Sequence, residues 1–211
     1  GATDTDILTN IAWLRGSGFA DVFTVDVTYA SNFGNFVEIE GMGGDDTVTG
    51  NGNTRIGYST ALAGVTVDLL AGTAFGTDEG DIADVGADTI VSGVTQVRGS
   101  NFDDFLYGSV TADWESFSGQ AGDDFIDGRG GTDQAEYSDS TGGVAVNLSA
   151  TMEMLSGFNV ASGQALDGYG YTDTLANIEQ VRGSNFGDVL IGGAGDEKLD
   201  GGDGGDTLIG G

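Results

Sequence analysis

Residues 183–209 read GSNFGDVLI, GGAGDEKLD and GGDGGDTLI, three nine-residue units in direct succession. Each opens on glycine, carries an acid at its sixth place (Asp188, Glu197, Asp206) and an apolar residue at its eighth (Leu190, Leu199, Leu208). One such unit, a glycine-rich turn and a three-residue strand, cannot bury its apolar face alone, so successive units must stack. The fold expected is therefore all-β, a right-handed parallel β-solenoid with no substantial helix. Glycine recurs too often for helix, at about 1 kcal/mol for each interior position, and no apolar stripe keeps the 3.6-residue period.

Working outward, the same unit recurs at residues 16–24, 41–49, 99–107, 119–127 and 128–136, and in an eleven-residue form at 108–118 with Asp113 at its sixth place. The unit that begins at Gly50 has Arg55 where the acid belongs. A longer period lies above the short one. DTDILTNIAWLRGSGFADVF from Asp4, DTIVSGVTQVRGSNFDDFL from Asp88 and DTLANIEQVRGSNFGDVL from Asp173 align, as do YSTALAGVTVDL from Tyr58 and YSDSTGGVAVNL from Tyr137. The organisation expected is one continuous stack: residues 1–57 as the tail of a first long repeat, 58–136 as a second and 137–211 as a third. The truncated first copy reads as part of a longer array. Val65, Val67 and Leu69, and Val144, Val146 and Leu148, alternate as half-buried strands do. The looser stretches 73–88 and 149–173, the latter with Met152, Met154, Phe158, Tyr169 and Tyr171, are expected as loops on the flank.

The 211 residues include 40 Gly, 34 Asp and Glu against 6 Lys and Arg, and no Pro, Cys or His, for a net charge of −28. That much like charge opposes compaction unless cations sit among the carboxylates. The absence of His and Cys removes zinc sites, disulfides and Ser-His or Cys-His catalysis. Nucleic acid is excluded as a partner by the lack of any basic patch, and direct membrane insertion by the lack of a long apolar run. An acidic chain of this kind is disordered unless it buries apolar surface, and its regular strand-like runs supply that surface.

Glycines at places one, two and four are expected to adopt positive φ and to curl the turn so that its carbonyls face inward. With the acid at place six they form the oxygen-rich surroundings that suit Ca²⁺ better than Mg²⁺. Two units make one coil, so every second turn shares a flank. That rule places Asp104 over Asp124, Asp113 over Asp133 and Asp188 over Asp206, and leaves Glu197 without a partner turn. The candidate ligands are these aspartates and, less regularly placed, Asp21 and Asp46, with Gly99, Asn101, Gly119, Gly122, Gly183, Asn185, Gly201 and Gly204 of the same turns. Phe102 and Phe186 replace the place-four glycine and are expected to pack inward as plugs. Asp78, Glu79, Asp81, Asp84 and Asp139 read as a solvated face. Arg15, Arg98 and Arg182 read as ties between coils through neighbouring acids.

The units GGAGDEKLD and GGDGGDTLI resemble the nonapeptides of RTX proteins, the haemolysin-type calcium-binding repeats, and the longer module resembles segments of large secreted bacterial RTX proteins. The resemblance implies a calcium-binding β-roll, several bound Ca²⁺ ions, export by type I secretion and folding outside the cell. It implies a calcium-dependent structural module of a bacterial surface or extracellular protein, such as an adhesin, fibre or surface-layer component. The module is expected to be non-catalytic, with further copies end to end or laterally as partners. The alternatives are the calcium-binding C-terminal region of a secreted protease, lipase or epimerase, and a carbohydrate-binding solenoid. For a glycan or host-surface ligand the sequence offers no regular Thr or aromatic ladder.

Overall fold

The computed structural model describes residues 11–26, 34–78, 80–111, 113–151, 153–155 and 158–211. The start of the first long repeat at Asp4, and Glu79 and Met152, lie outside the described residues. Twenty strands are described and no helix. In chain order they are β1 (Trp13–Arg15), β2 (Val22–Thr24), β3 (Val37–Glu40), β4 (Thr47–Gly57), β5 (Val65–Asp68), β6 (Thr73–Gly76), β7 (Ala87–Arg98), β8 (Phe105–Tyr107), β9 (Trp114–Ser118) and β10 (Phe125–Asp127). The remainder are β11 (Thr132–Glu136), β12 (Ala145–Asn147), β13 (Glu153–Leu155), β14 (Phe158–Val160), β15 (Gln164–Leu166), β16 (Thr172–Ala176), β17 (Gln180–Arg182), β18 (Val189–Ile191), β19 (Lys198–Asp200) and β20 (Thr207–Ile209). Eighteen of them form one sheet, and β13 and β14 pair separately.

The nine-residue spacing appears directly in the pairing. Strands two units apart run parallel, as in β8–β10, β9–β11, β17–β19 and β18–β20. The register stacks like positions, so the inward apolar side chains fall into lines. One line runs Leu14, Ile39, Ile56, Val97, Phe117, Ala135, Val181 and Leu199, each opposite the next. A second runs Val67, Leu106, Ile126 and Leu175, and a third Val146, Leu190 and Leu208. Phe117, Leu106, Ile126 and Leu190 are fully buried, each contributing roughly 1.5–3 kcal/mol of transfer free energy. Phe117 lies opposite Ala135, so large and small neighbours share the space.

The sheet is mixed rather than wholly parallel, which corrects the expectation for the looser stretches. Apart from β13 and β14, their strands join the main sheet. β6 runs antiparallel between β5 and β7, and β15 antiparallel between β12 and β16. The reason is local. Gly72 and Gly163 adopt positive φ in the turns, at 70° and 67°, and their N–H groups donate to Asp68 O and Asn147 O at 2.8 Å. Ala74 and Ala165 then enter the core completely buried. Both inserts carry the step Gly-x-Ala, at residues 72–74 and 163–165.

Arginines bridge separate parts of the sheet. Arg15 meets Glu40 at 2.7 Å, Arg98 meets Glu38 at 2.9 Å and Asp139 at 2.7 Å, and Arg129 meets Asp68 at 2.8 Å. Arg182 lies 3.6 Å from Glu136. Arg55, at the place of a turn acid, lies 3.7 Å from Glu38 and donates to Gln96.

Candidate metal-binding turns

The place-one glycines are required for space rather than for positive φ. In each turn the place-six carboxylate folds back over the first residue. A Cβ at Gly41, Gly99, Gly119, Gly183 or Gly201 would overlap Oδ2 of Asp46, Asp104, Asp124, Asp188 or Asp206. Positive φ falls at places two and four instead. Place two holds Met42 (76°), Gln120 (78°), Arg129 (63°) and Gly202 (76°), so three non-glycine residues accept the left-handed region there. Place four holds Gly44, Gly122, Gly131 and Gly204, at 99° to 134°. A Cβ at these four would strike the backbone of the turn stacked beside it, near Phe19, Phe102, Asp113 and Phe186.

The acids line up along the edge of the sheet as a hydrogen-bonded ladder. The N–H of Asp21 donates to Asp46 Oδ1 (2.8 Å), and that of Asp46 to Asp88 Oδ1 (3.0 Å). Val65 N–H donates to Asp104 (2.7 Å), Asp104 N–H to Asp124 (2.9 Å) and Asp124 N–H to Asp173 (3.2 Å). Val144 N–H donates to Asp188 (2.8 Å) and Asp188 N–H to Asp206 (3.0 Å). The pairs Asp104 with Asp124, Asp188 with Asp206 and Asp21 with Asp46 are thus brought together. On the other edge, Asp133 N–H donates to Glu179 Oε2 (2.9 Å).

Several sequence readings change here. Asp113 is exposed; the register sets Glu115, buried, opposite Asp133. The eleven-residue unit carries two extra residues before its strand, so counting six places from its glycine stops short. Glu197 is not alone, because Gln180 stands opposite Lys198 and so carries Glu179 to its level. Phe102 and Phe186 point outward, about half exposed, since Leu106 and Leu190 already fill the interior. Asn101 and Asn185 are exposed as well. Asp81 accepts the N–H groups of Val85 and Gly86, so it organises its own loop. Asp88 and Asp173 were not singled out, although the long-repeat alignment starts on them. Each also accepts a buried tyrosine hydroxyl, from Tyr58 and Tyr137, at 2.9 Å.

Two kinds of turn emerge. In the Gly-Ser-x-Phe-x-Asp turns the carboxylate is satisfied internally. Asp104 accepts Ser100 N–H (2.7 Å) and Ser100 Oγ–H (2.8 Å), while Ser100 Oγ accepts Phe102 N–H. Asp188 and Ser184 repeat this. In three of the four Gly-x-x-Gly-x-Asp turns it is not. Asp46 Oδ2, Asp124 Oδ2 and both carboxylate oxygens of Asp133 are buried without any hydrogen-bond donor. Buried polar atoms are almost always paired, so a recurrent orphan asks for a missing partner.

The electrostatics agree. Burial, reinforced by the charges of Asp173 and Asp104, pushes Asp124 up to about 9. Burial first, then Glu115 and Glu179, takes Asp133 to about 7. Burial also raises Asp88, Asp104 and Asp173 to about 7 and Asp46 to about 6. Among the described residues no arginine or lysine forms an ion pair with these ladder acids. Hard carboxylate oxygens without donors, in turns free of His and Cys, fit Ca²⁺. Nowhere among the described residues do three acidic side chains converge on a metal position, so backbone carbonyls would have to complete the coordination.

A family model, the RTX calcium-binding nonapeptide repeat, matches the chain in four copies, over residues 38–54, 110–135 and 177–211. The matched stretches contain the turns that end at Asp46, Asp124, Asp133 and Asp206. A search of curated proteins gives no significant match.

Proposed function

We propose, from the premise that this chain belongs to the RTX-repeat proteins, that it is a calcium-dependent structural module of a secreted bacterial surface or extracellular protein. In this reading the parallel rungs wind as a right-handed β-roll, the three long repeats form one continuous stack, and the module has no catalytic role of its own. The observation that carries the reading is the set of buried, donorless carboxylate oxygens at Asp46, Asp124 and Asp133. Asp46, Asp124, Asp133 and Asp206 are the side chains that would hold calcium, with carbonyls of their own turns. Asp104 and Asp188 serve chiefly as hydrogen-bonded links in the ladder. Bound Ca²⁺ supplies the positive charge that the ladder lacks.

The chain's own residues do the rest. Place-one glycines admit the carboxylates, place-four glycines let neighbouring turns approach, and the inward aliphatic lines lock the rungs once repulsion is relieved. Binding to the folded state alone stabilises it by RT ln(1 + [L]/Kd), about 2.7 kcal/mol per site at a hundredfold excess over Kd. Far-UV circular dichroism tests the reading. Strand signal should collapse in chelator and return with Ca²⁺, and a spectrum indifferent to Ca²⁺ overturns it.

A second reading, a carbohydrate-binding role, has one observation in its favour. A cleft of about 450 Å³ is lined by Trp114, Thr95, Ser109, Thr111 and Asp113, an aromatic ring beside hydroxyls. A glycan array in Ca²⁺ buffer addresses it, and loss of any signal in Trp114→Ala would place the sugar in that cleft.

A further inference from the structure

Asp167 belongs to no nonapeptide and lies outside the residues matched by the repeat model. Its side chain is nonetheless completely buried. It sits in the short return from β15 to β16, inside the insert of the third long repeat. Oδ1 accepts three backbone N–H groups, from Tyr169 (2.8 Å), Gly170 (2.9 Å) and Tyr171 (2.9 Å). That clamp fixes the carboxylate, and Oδ2 is left buried with no donor.

The sheet brings this oxygen to the ladder. β15 pairs with β16, with Leu166 opposite Thr172, and β16 pairs with β10, with Thr174 opposite Phe125. Asp167, Asp173 and Asp124 therefore lie at the same edge of consecutive strands. Asp173 is fully used, by Asp124 N–H and the Tyr137 hydroxyl. Asp124 Oδ2 is not; like Asp167 Oδ2 it is buried and donorless. After burial and the nearer carboxylates, the charge of Asp167 is among those acting on Asp124, and it acts on Asp173 too. Three enclosed carboxyls with two free oxygens and no cationic side chain constitute an uncompensated buried charge, which folding tolerates only when something neutralises it.

The second long repeat provides an internal contrast. Val65 stands opposite Gly76 there. In the third, Ala145 stands opposite Leu166, which sets Asp167 at the position of Gly76. The carboxylate is an addition peculiar to the third repeat.

We propose that Asp167, from outside the nonapeptide turns, joins Asp124 in holding a divalent cation, which ties the inserted hairpin to the acid ladder. The proposal rests on the reading that the buried acids of this chain serve calcium. Two carboxylates supply the charged ligands, and backbone carbonyls complete the shell. The ion gives the insert a calcium-dependent attachment that its counterpart in the second repeat lacks.

The test compares the full chain with Asp167→Asn, which keeps Oδ1 as acceptor for the three N–H groups and removes the charge. Bound Ca²⁺ is counted by equilibrium dialysis, and amide exchange is followed across residues 164–176. The variant should bind one ion fewer and exchange at least tenfold faster in that segment in Ca²⁺. Asp46→Asn should also lose an ion but leave exchange at 164–176 unchanged. Asp167→Gly, which copies the second repeat, gives the same two readouts should the Asn variant fail to fold. A full ion complement with unchanged exchange in the Asp167 variants overturns this proposal alone. A wild-type chain that binds no Ca²⁺ overturns both this proposal and the broader calcium reading.

Discussion

Replacing Asp124 by Asn should move stability in opposite directions with and without calcium. The side chain is 2% exposed, and its carboxyl is pushed up to about 9 by burial and by the charges of Asp173 and Asp104. At pH 7.5 the unfolded group, with its model value of 3.8, is ionised. Folding must then either protonate it or bury its charge. At about 1.4 kcal/mol per pH unit, the interval from 3.8 to 7.5 sets an upper bound of about 5 kcal/mol on that penalty. Asparagine escapes it while still accepting the 2.9 Å bond from Asp104 N–H. In chelator Asp124→Asn should therefore gain a few kcal/mol, seen as a lower concentration of trimethylamine oxide needed to fold the chain, since that osmolyte favours burial. In Ca²⁺ the variant has lost a charged ligand, and should forfeit about 2.7 kcal/mol if that site was a hundredfold above its Kd. Circular dichroism with an osmolyte titration reads the first arm and thermal melts in Ca²⁺ read the second. A variant that is harder to fold in chelator, or that responds to Ca²⁺ as the parent does, refutes the reasoning.

Three further outcomes follow from the same geometry. Gly119→Ala drives a Cβ into Asp124 Oδ2 and should cost about 1–3 kcal/mol, whereas Gly205→Ala, with open space around it, should stay within about 0.5 kcal/mol in urea melts. Ser100→Ala removes the 2.8 Å bond to Asp104 and the acceptor for Phe102 N–H, and should cost about 1–3 kcal/mol in Ca²⁺ melts without changing the number of ions bound. Acid should replace calcium in part. The carboxyls of Asp46, Asp88, Asp104, Asp124, Asp133 and Asp173 are all raised above the model value of 3.8, so the folded chain holds more protons than the unfolded one. Their favourable contribution is fully present below about pH 4 and is lost as pH rises through about 6 to 9. Far-UV spectra in chelator should show more strand at pH 4.5 than at pH 8, and the reverse order would contradict the assignment.

Much of this architecture is written in period nine. The spacing of Asp104 and Asp124, and of Asp188 and Asp206, places each pair beside hydrogen-bonded parallel strands, because strands two units apart pair. The readings that failed did so where the count alone had to stand in for packing. Glu115 was missed because a two-residue excess precedes its strand. Asp88 and Asp173 were passed over because no Gly-x-x-Gly-x-Asp unit leads into them; their signal was the pairing of Tyr58 and Tyr137 with an Asp-Thr step in the aligned repeats. Phe102 and Phe186 were expected inside, but the inward position of each nine-residue unit belongs to place eight, and both rings lie about half exposed. The inserts looked like loops because their strands are three or four residues long, and only the closure at Gly72 and Gly163 shows that they fold between rungs. Asp167, within one such insert, carries no periodic signal at all.

The central claim is that calcium and folding are one equilibrium in this chain. Its most direct test is a calcium titration of the chelated protein in which strand signal and bound ions are measured on the same samples. The account expects the far-UV strand signal to rise steeply as several ions are taken up, the two curves rising together. Full strand signal before any ion is bound, or ions bound without gain of structure, would contradict it.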